Sequence, residues 1–293
     1  MAVLLCHSQG TAQLEVVQNS EVSVVYDKSL DSAAQEIVQL YPFLKKDLEN
    51  RLGWRLHSSP QVVLVKNNQD FRKMTPNDLF VAFAIAEKNL IVIDYSRMNI
   101  HSFTLSVTLK HELCHLLLHQ QIGRSNLPRW LNEGICQWVS DGIGEILVDK
   151  NWSGLDTAVV TGRIIPFERL KDNFPQDTTT LMLAYEQSKS IVAFIERKYG
   201  KRKIIDFLGH LKNGESIDTA SLNVFSVATG QLEKEWLDQL ARTPWWLVFL
   251  ANHIYGILFF MAALLTLFGF IRAVKRRRAY KDPEDQDNGN ESQ

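Results

Sequence analysis

The 293-residue chain is short of three things that would each point to a class of protein. It has only three cysteines, which excludes a disulfide-stapled scaffold. It has no charge excess: 32 basic and 33 acidic side chains leave a net charge of -1, and nothing electrostatic calls for a nucleic-acid partner. It has no internal repeat. Hydrophobic residues at 45% and charged residues at 22% exclude a wholly disordered chain and a polytopic membrane protein. The averages hide one local absence, however. From Trp245 to Ile271 there is no charged residue.

That stretch is dominated by Leu, Phe, Ile and Ala, and a helix needs about 20 apolar residues to cross a bilayer. A buried helix of a soluble protein seldom runs so far without charge. Residues 245–271 therefore read as one transmembrane helix in a lipid bilayer, with Trp245 and Trp246 as interfacial anchors. Asn252 and His253 lie near the same end, at headgroup depth. On the other flank Arg272, Lys275, Arg276, Arg277, Arg278 and Lys281 form a basic cluster suited to anionic lipid. Positive charge stays on the cytoplasmic side, so the tail, residues 272–293, is placed in the cytoplasm and the larger N-terminal part outside it.

An exported domain needs an export signal. Residues 1–20 are an N-terminal segment in which Met1 to Cys6 is too short for a full apolar signal region. Gly10-Thr11-Ala12 before Gln13 has the small-residue character of a cleavage site, which suggests a signal-peptide remnant; an ordinary frayed terminus is the alternative.

Residues 21–241 read as one mixed domain. Glu21 to Tyr26 alternates like a strand, and Gln61 to Val65 is a β-branched run. Ser32 to Gly53 is helical, with Ile37, Leu40, Leu44, Leu48 and Leu52 on one face and Pro42 as a point of kinking or splitting. Phe80 to Ile85 and Leu90 to Ile93 flank a turn and form a hairpin pattern. From Ser102 onward the pattern is helical. Strands first and helices after predict an α+β fold with a small antiparallel or mixed sheet.

The chemistry is concentrated in His111-Glu112-Leu113-Cys114-His115. On a helix, residues four apart share a face, so two imidazoles stand one turn apart and can bind one zinc ion. Glu112 is rotated by roughly 100° from His111, beside the metal rather than on it, where it can hold a water. Chance alone yields H-E-x-x-H in roughly one chain in a hundred of this length, so the flanks matter. Leu109, Leu113, Cys114 and Leu116 suit a buried helix. A catalytic zinc needs a third protein ligand and an open fourth position. Gln121 stands where the metzincin pattern has a His, which excludes that class. His119 keeps the four-residue spacing, but about 12 Å of helix rise separates it from His111. It reads as a supporting or surface group. Glu133 is the third candidate, in Trp130-Leu131-Asn132-Glu133-Gly134.

The two runs together, with Glu133 eighteen residues after His115, resemble the gluzincin metallopeptidases, and most of all the peptidase MA-like group, distant relatives of thermolysin. The likeness spans roughly residues 60 to 241 and includes Ala184-Tyr185-Glu186-Gln187-Ser188. It implies a zincin-like helical region, a bound zinc, a peptide or protein substrate and a bacterial inner-membrane setting. It also implies that Glu133 is the third ligand and that Gly134 lets two helices approach closely. Glu112 becomes the general base, and Tyr185 a candidate donor to the developing oxyanion. The hairpin around Phe80 to Ile93 is similar to the edge strand such enzymes lay above the cleft, where an extended peptide can bind by main-chain hydrogen bonds.

One position departs from that pattern. Thermolysin relatives place an Asp four residues after the ligand Glu to orient the first His; here it is Gln137, whose amide can accept an imidazole hydrogen bond but brings no charge. Asp141 lies a further turn away. A zinc-binding but proteolytically idle domain, recruiting peptides or membrane partners, is the second reading. Cys114 and Cys136 read as small buried hydrophobes rather than ligands. Arg129 reads as a solvated charge, with a substrate carboxylate as its functional alternative.

Overall fold

The computed structural model describes residues 14–75, 77–98, 104–123, 126–141, 154–242 and 245–279, with side chains for 254–277 of the last stretch. The described chain forms two compact units, divided between Ala241 and Arg242.

In the first unit the order is β1 (Leu14–Gln18), β2 (Ser23–Asp27), α1 (Asp31–Leu52), β3 (Gln61–Val65), α2 (Asn68–Arg72), β4 (Ala82–Ile85) and β5 (Leu90–Asp94). Helices follow: α3 (Leu105–Ile122), α4 (Arg129–Ser140), α5 (Gly154–Thr161), α6 (Thr178–Tyr199), α7 (Lys201–Lys212), α8 (Ile217–Phe225) and α9 (Thr229–Arg242). The fold is α+β, as the succession of patterns predicts.

The five strands form one mixed sheet in the order β1-β2-β3-β5-β4. The pairs β1–β2 and β4–β5 are antiparallel, while β2–β3 and β3–β5 are parallel. The sheet begins earlier than residue 21, since β1 lies inside the stretch read as an N-terminal segment and pairs Val16 with Val25. The cleavage-site pattern at residues 10–13 falls outside the described residues.

Helix α1 runs unbroken through Pro42 and buries Ala34, Ile37, Tyr41, Leu48 and Leu52. Leu44 packs partly buried against the same core, while fully buried Tyr41 takes the place expected of Leu40. The helix ends at Gly53, whose φ of 72° is a left-handed conformation open to glycine without Cβ strain, and whose N–H donates to the Glu49 carbonyl at 2.8 Å.

Helix α3 is the central element. Thr104 caps it, its hydroxyl accepting from the Val107 N–H at 3.3 Å. The run from Thr108 to Cys114 is buried on every face, so the helix has no solvent stripe. That burial would strand the Lys110 charge, but Asp47 on α1 pairs with it. Helix α4 packs between α3 and α6, and one continuous core joins the sheet to these helices.

The second unit contains α10 (Trp245–Ala279). Within it Ile254–Arg277 is long and apolar enough to cross a membrane, with mean hydropathy 2.4 over an 18-residue stretch. Phe259, Leu265, Phe268 and Phe270 are all exposed. The helix continues past Ile271 into the basic cluster, so the tail starts as helix rather than as coil.

Candidate metal centre

Helices α3 and α4 bring three side chains to one point. His111 and His115 project from the same face of α3, their Nε2 atoms 3.1 Å apart. Glu133 reaches them from the first two turns of α4, with Oε2 at 3.8 Å from His111 Nε2 and 3.6 Å from His115 Nε2. Among the described residues these three form the metal-capable group, their donor atoms all within 4.8 Å of one another. His119 lies outside it.

The spacing fits a zinc ion. Ligands at about 2.0–2.1 Å from a tetrahedral centre lie about 3.3 Å from each other, close to the three separations here. Glu133 Oε2 is buried and accepts no hydrogen bond, though a carboxylate oxygen normally finds a donor. Burial would raise the Glu133 pKa, but the charge of His115, the polar N–H and charge of His111 and the charge of Arg129 outweigh it and hold the carboxyl below its usual range. It is therefore an anion, the state a metal ligand needs.

The site has a support that the sequence reading missed. Asn132 Oδ1 lies 3.0 Å from His115 Nδ1. An N–H on Nδ1 donating to that oxygen leaves the Nε2 lone pair for a metal and fixes the ring's orientation. Asn132 stands next to Glu133, so the same helical turn supplies a ligand and the orienting group for another.

Gln137 lies one turn beyond Glu133, and its amide N–H donates to the Tyr185 carbonyl of α6 at 3.1 Å. Its Oε1 is buried with no hydrogen-bond partner. In this arrangement Gln137 joins two helices, and the oxygen expected to accept from an imidazole does not do so. Asp141 pairs with Arg51 on α1.

Glu112 is fully buried beside His111, and its charge acts on the Cys136 thiol. Cys136 Sγ lies 3.3 Å from His115 Nδ1. Burial, reinforced by the neighbouring Cys114, pushes that thiol well above its ordinary pKa, so it stays protonated. Both cysteines are buried and unbridged, as expected of small core residues. Tyr185 is fully buried, its ring edge-on to Phe174 at 5.2 Å. Arg129 is not the solvated charge expected: its guanidinium lies over Phe174 and 3.4 Å from Glu133 Oε1.

A cavity of about 200 Å³ opens on this group, lined by His115, Glu133, Asn132, His119, Ala84 and Ala86 among others. Ala84 lies on β4, the edge of the sheet. The Asp94 N–H donates to the Val81 carbonyl at 2.8 Å, so the antiparallel alternation points the main-chain groups of Ala82 and Ala84 away from β5. Among the described residues the hairpin thus presents an edge with no strand paired to it, beside the cavity. A second cavity of about 470 Å³ shares Leu127, Arg129 and Asn132 with the first.

The sequence model of the Peptidase MA superfamily matches residues 46–242. Among solved structures, yeast LTA4 hydrolase in complex with bestatin is similar at 14% identity and TM-score 0.46, over 79% of this chain and 38% of that one. An M1 zinc metallopeptidase from Deinococcus radiodurans, in mutant form, is similar at 13% identity and TM-score 0.45, over 76% of this chain and 50% of that one. The chain thus spans half or less of either structure. No curated protein sequence matches it.

Proposed function

The chain belongs to the Peptidase MA superfamily, and from that premise we propose that it is a membrane-anchored zinc peptidase. The observation that carries the proposal is the meeting of His111, His115 and Glu133, with a buried carboxylate oxygen turned toward two imidazole nitrogens. Zinc bound there supplies Lewis acidity toward a peptide carbonyl and lowers the pKa of a bound water.

The remaining work belongs to side chains. Glu112 takes the proton of the attacking water and passes it to the leaving amine. Asn132 holds His115 in register. The outward main-chain groups of Ala82 and Ala84 hold an extended peptide alongside the cavity. Tyr185 is the proposed donor to the oxyanion; two side chains, Phe174 and Arg129, stand between it and Glu133, joined by three contacts. Helix α10 anchors the protein in a bilayer, with the basic cluster on the cytoplasmic side and the catalytic unit outside it.

A second reading, a zinc-binding domain that captures peptides without cleaving them, is favoured by Gln137, which stands where thermolysin relatives carry an orienting Asp and whose acceptor oxygen takes no imidazole hydrogen bond. A peptide-library digest with the full chain in detergent separates the two. Wild type is expected to cleave and Glu112→Gln to lose nearly all cleavage while keeping its zinc. Equal cleavage by both removes Glu112 as the base; zinc without cleavage in wild type supports the second reading. A protease-protection assay on intact cells tests the topology, and a catalytic unit shielded on the cytoplasmic side contradicts it.

A further inference from the structure

Arg129 occupies a poor place for a cation. It is the first residue of α4, where the free N–H groups carry the positive end of the helix dipole, and no acidic residue shares that first turn. Its acidic partner lies four residues toward the C-terminus, the weaker orientation for such a pair. Solvation does not account for it either, since only 33% of its side chain is exposed. The guanidinium instead sits over Phe174, with Cζ 5.2 Å from the ring centre, and one of its nitrogens is 3.4 Å from Glu133 Oε1.

The two oxygens of Glu133 therefore have different surroundings. Oε1 faces a cation, while Oε2 faces His111 and His115 and accepts no hydrogen bond. A carboxylate can bind a metal through one oxygen or both, and a catalytic zinc with three protein ligands must keep its fourth position open. Two bound oxygens from Glu133 beside a bound water would already make five ligands, the number such a zinc otherwise reaches only in the transition state, and would leave no room for substrate.

We propose that Arg129 is a positioning residue that occupies Oε1 of Glu133, so that this carboxylate binds zinc through Oε2 alone and a position is kept for water and substrate. This rests on the zinc-peptidase reading above. Arg129 thereby sets the openness of the site through Glu133, without itself touching the metal.

The test uses the full chain in detergent micelles, loaded with zinc for X-ray absorption and with cobalt(II) for visible absorption. Wild type is expected to be four-coordinate. Arg129→Met is expected to become five-coordinate, to keep about one metal per chain and to lose about 10–100-fold in peptidase rate. Arg129→Lys keeps a cation within reach of Oε1 and is expected to retain the wild-type spectrum. A five-coordinate wild type, an Arg129→Met spectrum superimposable on wild type, or a lysine variant that has lost the wild-type spectrum overturns the proposal. If Arg129→Met does not fold, the wild-type coordination number and the lysine variant decide the matter by the same outcomes. A wild type that takes up no metal overturns the zinc reading itself, and is distinguished because every spectrum is then blank.

Discussion

Gly134 on α4 lies so close to Ser188 on α6 that a Cβ atom built on it would stand 2.4 Å from the Ser188 carbonyl oxygen and 2.6 Å from the Val192 methyl. The obstacle is backbone, which cannot swing aside. The residue before Gly134 is the candidate ligand Glu133, so this close approach of α4 to α6 also sets where that carboxylate points. Gly134→Ala is expected to push α4 from α6, cost about 2–3 kcal/mol and lower the melting temperature by roughly 5–10 °C. Thermal unfolding checks this, and a variant that melts with wild type contradicts the packing account.

Asn132 acts on zinc affinity through His115. With its oxygen 3.0 Å from Nδ1, it selects the ring orientation that offers Nε2. Asn132→Ala is expected to weaken zinc binding about 10–100-fold, and Asn132→Asp to restore it. Competition against a chelator measures both. An alanine variant with wild-type affinity removes the orienting role.

Glu186 gives the fold a pH dependence of its own. Burial raises its carboxyl pKa; the Leu155 N–H and Lys189 oppose this and Asp156 adds to it, leaving the group at about 7 against 4.5 for an exposed glutamate. The folded chain therefore holds this proton more tightly than the unfolded one. Between those two values the native state binds more protons, so the Glu186 contribution to stability is lost as pH rises through about 7. Glu186→Gln is expected to flatten that part of the profile in metal-free protein. Melting temperatures at pH 5 and pH 8 test it; an unchanged slope contradicts the assignment.

What could be read in the sequence follows physical lines. Helix α3 was legible because ligand spacing on a helix is fixed by its 3.6-residue turn, and the unbroken apolar flanks of His111 match full burial; α4 and Glu133 were legible only through the resemblance carried by Trp130-Leu131-Asn132-Glu133-Gly134. The β4–β5 hairpin was legible from its turn. Strand β1 was not: its outward residues Leu14 and Val16 are apolar and exposed, so its alternation does not separate core from solvent. Asn132 escaped notice because an amide on a helix looks like a surface residue until His115 is placed against it. Gln137 could be aligned with an orienting acid by position alone; its bond to Tyr185 depends on how α6 crosses α4, which one-dimensional spacing does not contain. Arg129 was read as solvated because nothing local to it reveals the Phe174 ring, forty-five residues on.

The central claim is that His111, His115 and Glu133 hold zinc. Metal analysis of the purified full chain tests it most directly, comparing wild type with Glu133→Ala, which removes the one ligand supplied from α4. The account predicts about one zinc per chain in wild type and almost none in the variant, with both proteins folded. A wild type without zinc, or a Glu133→Ala protein that retains it in full, would contradict the account.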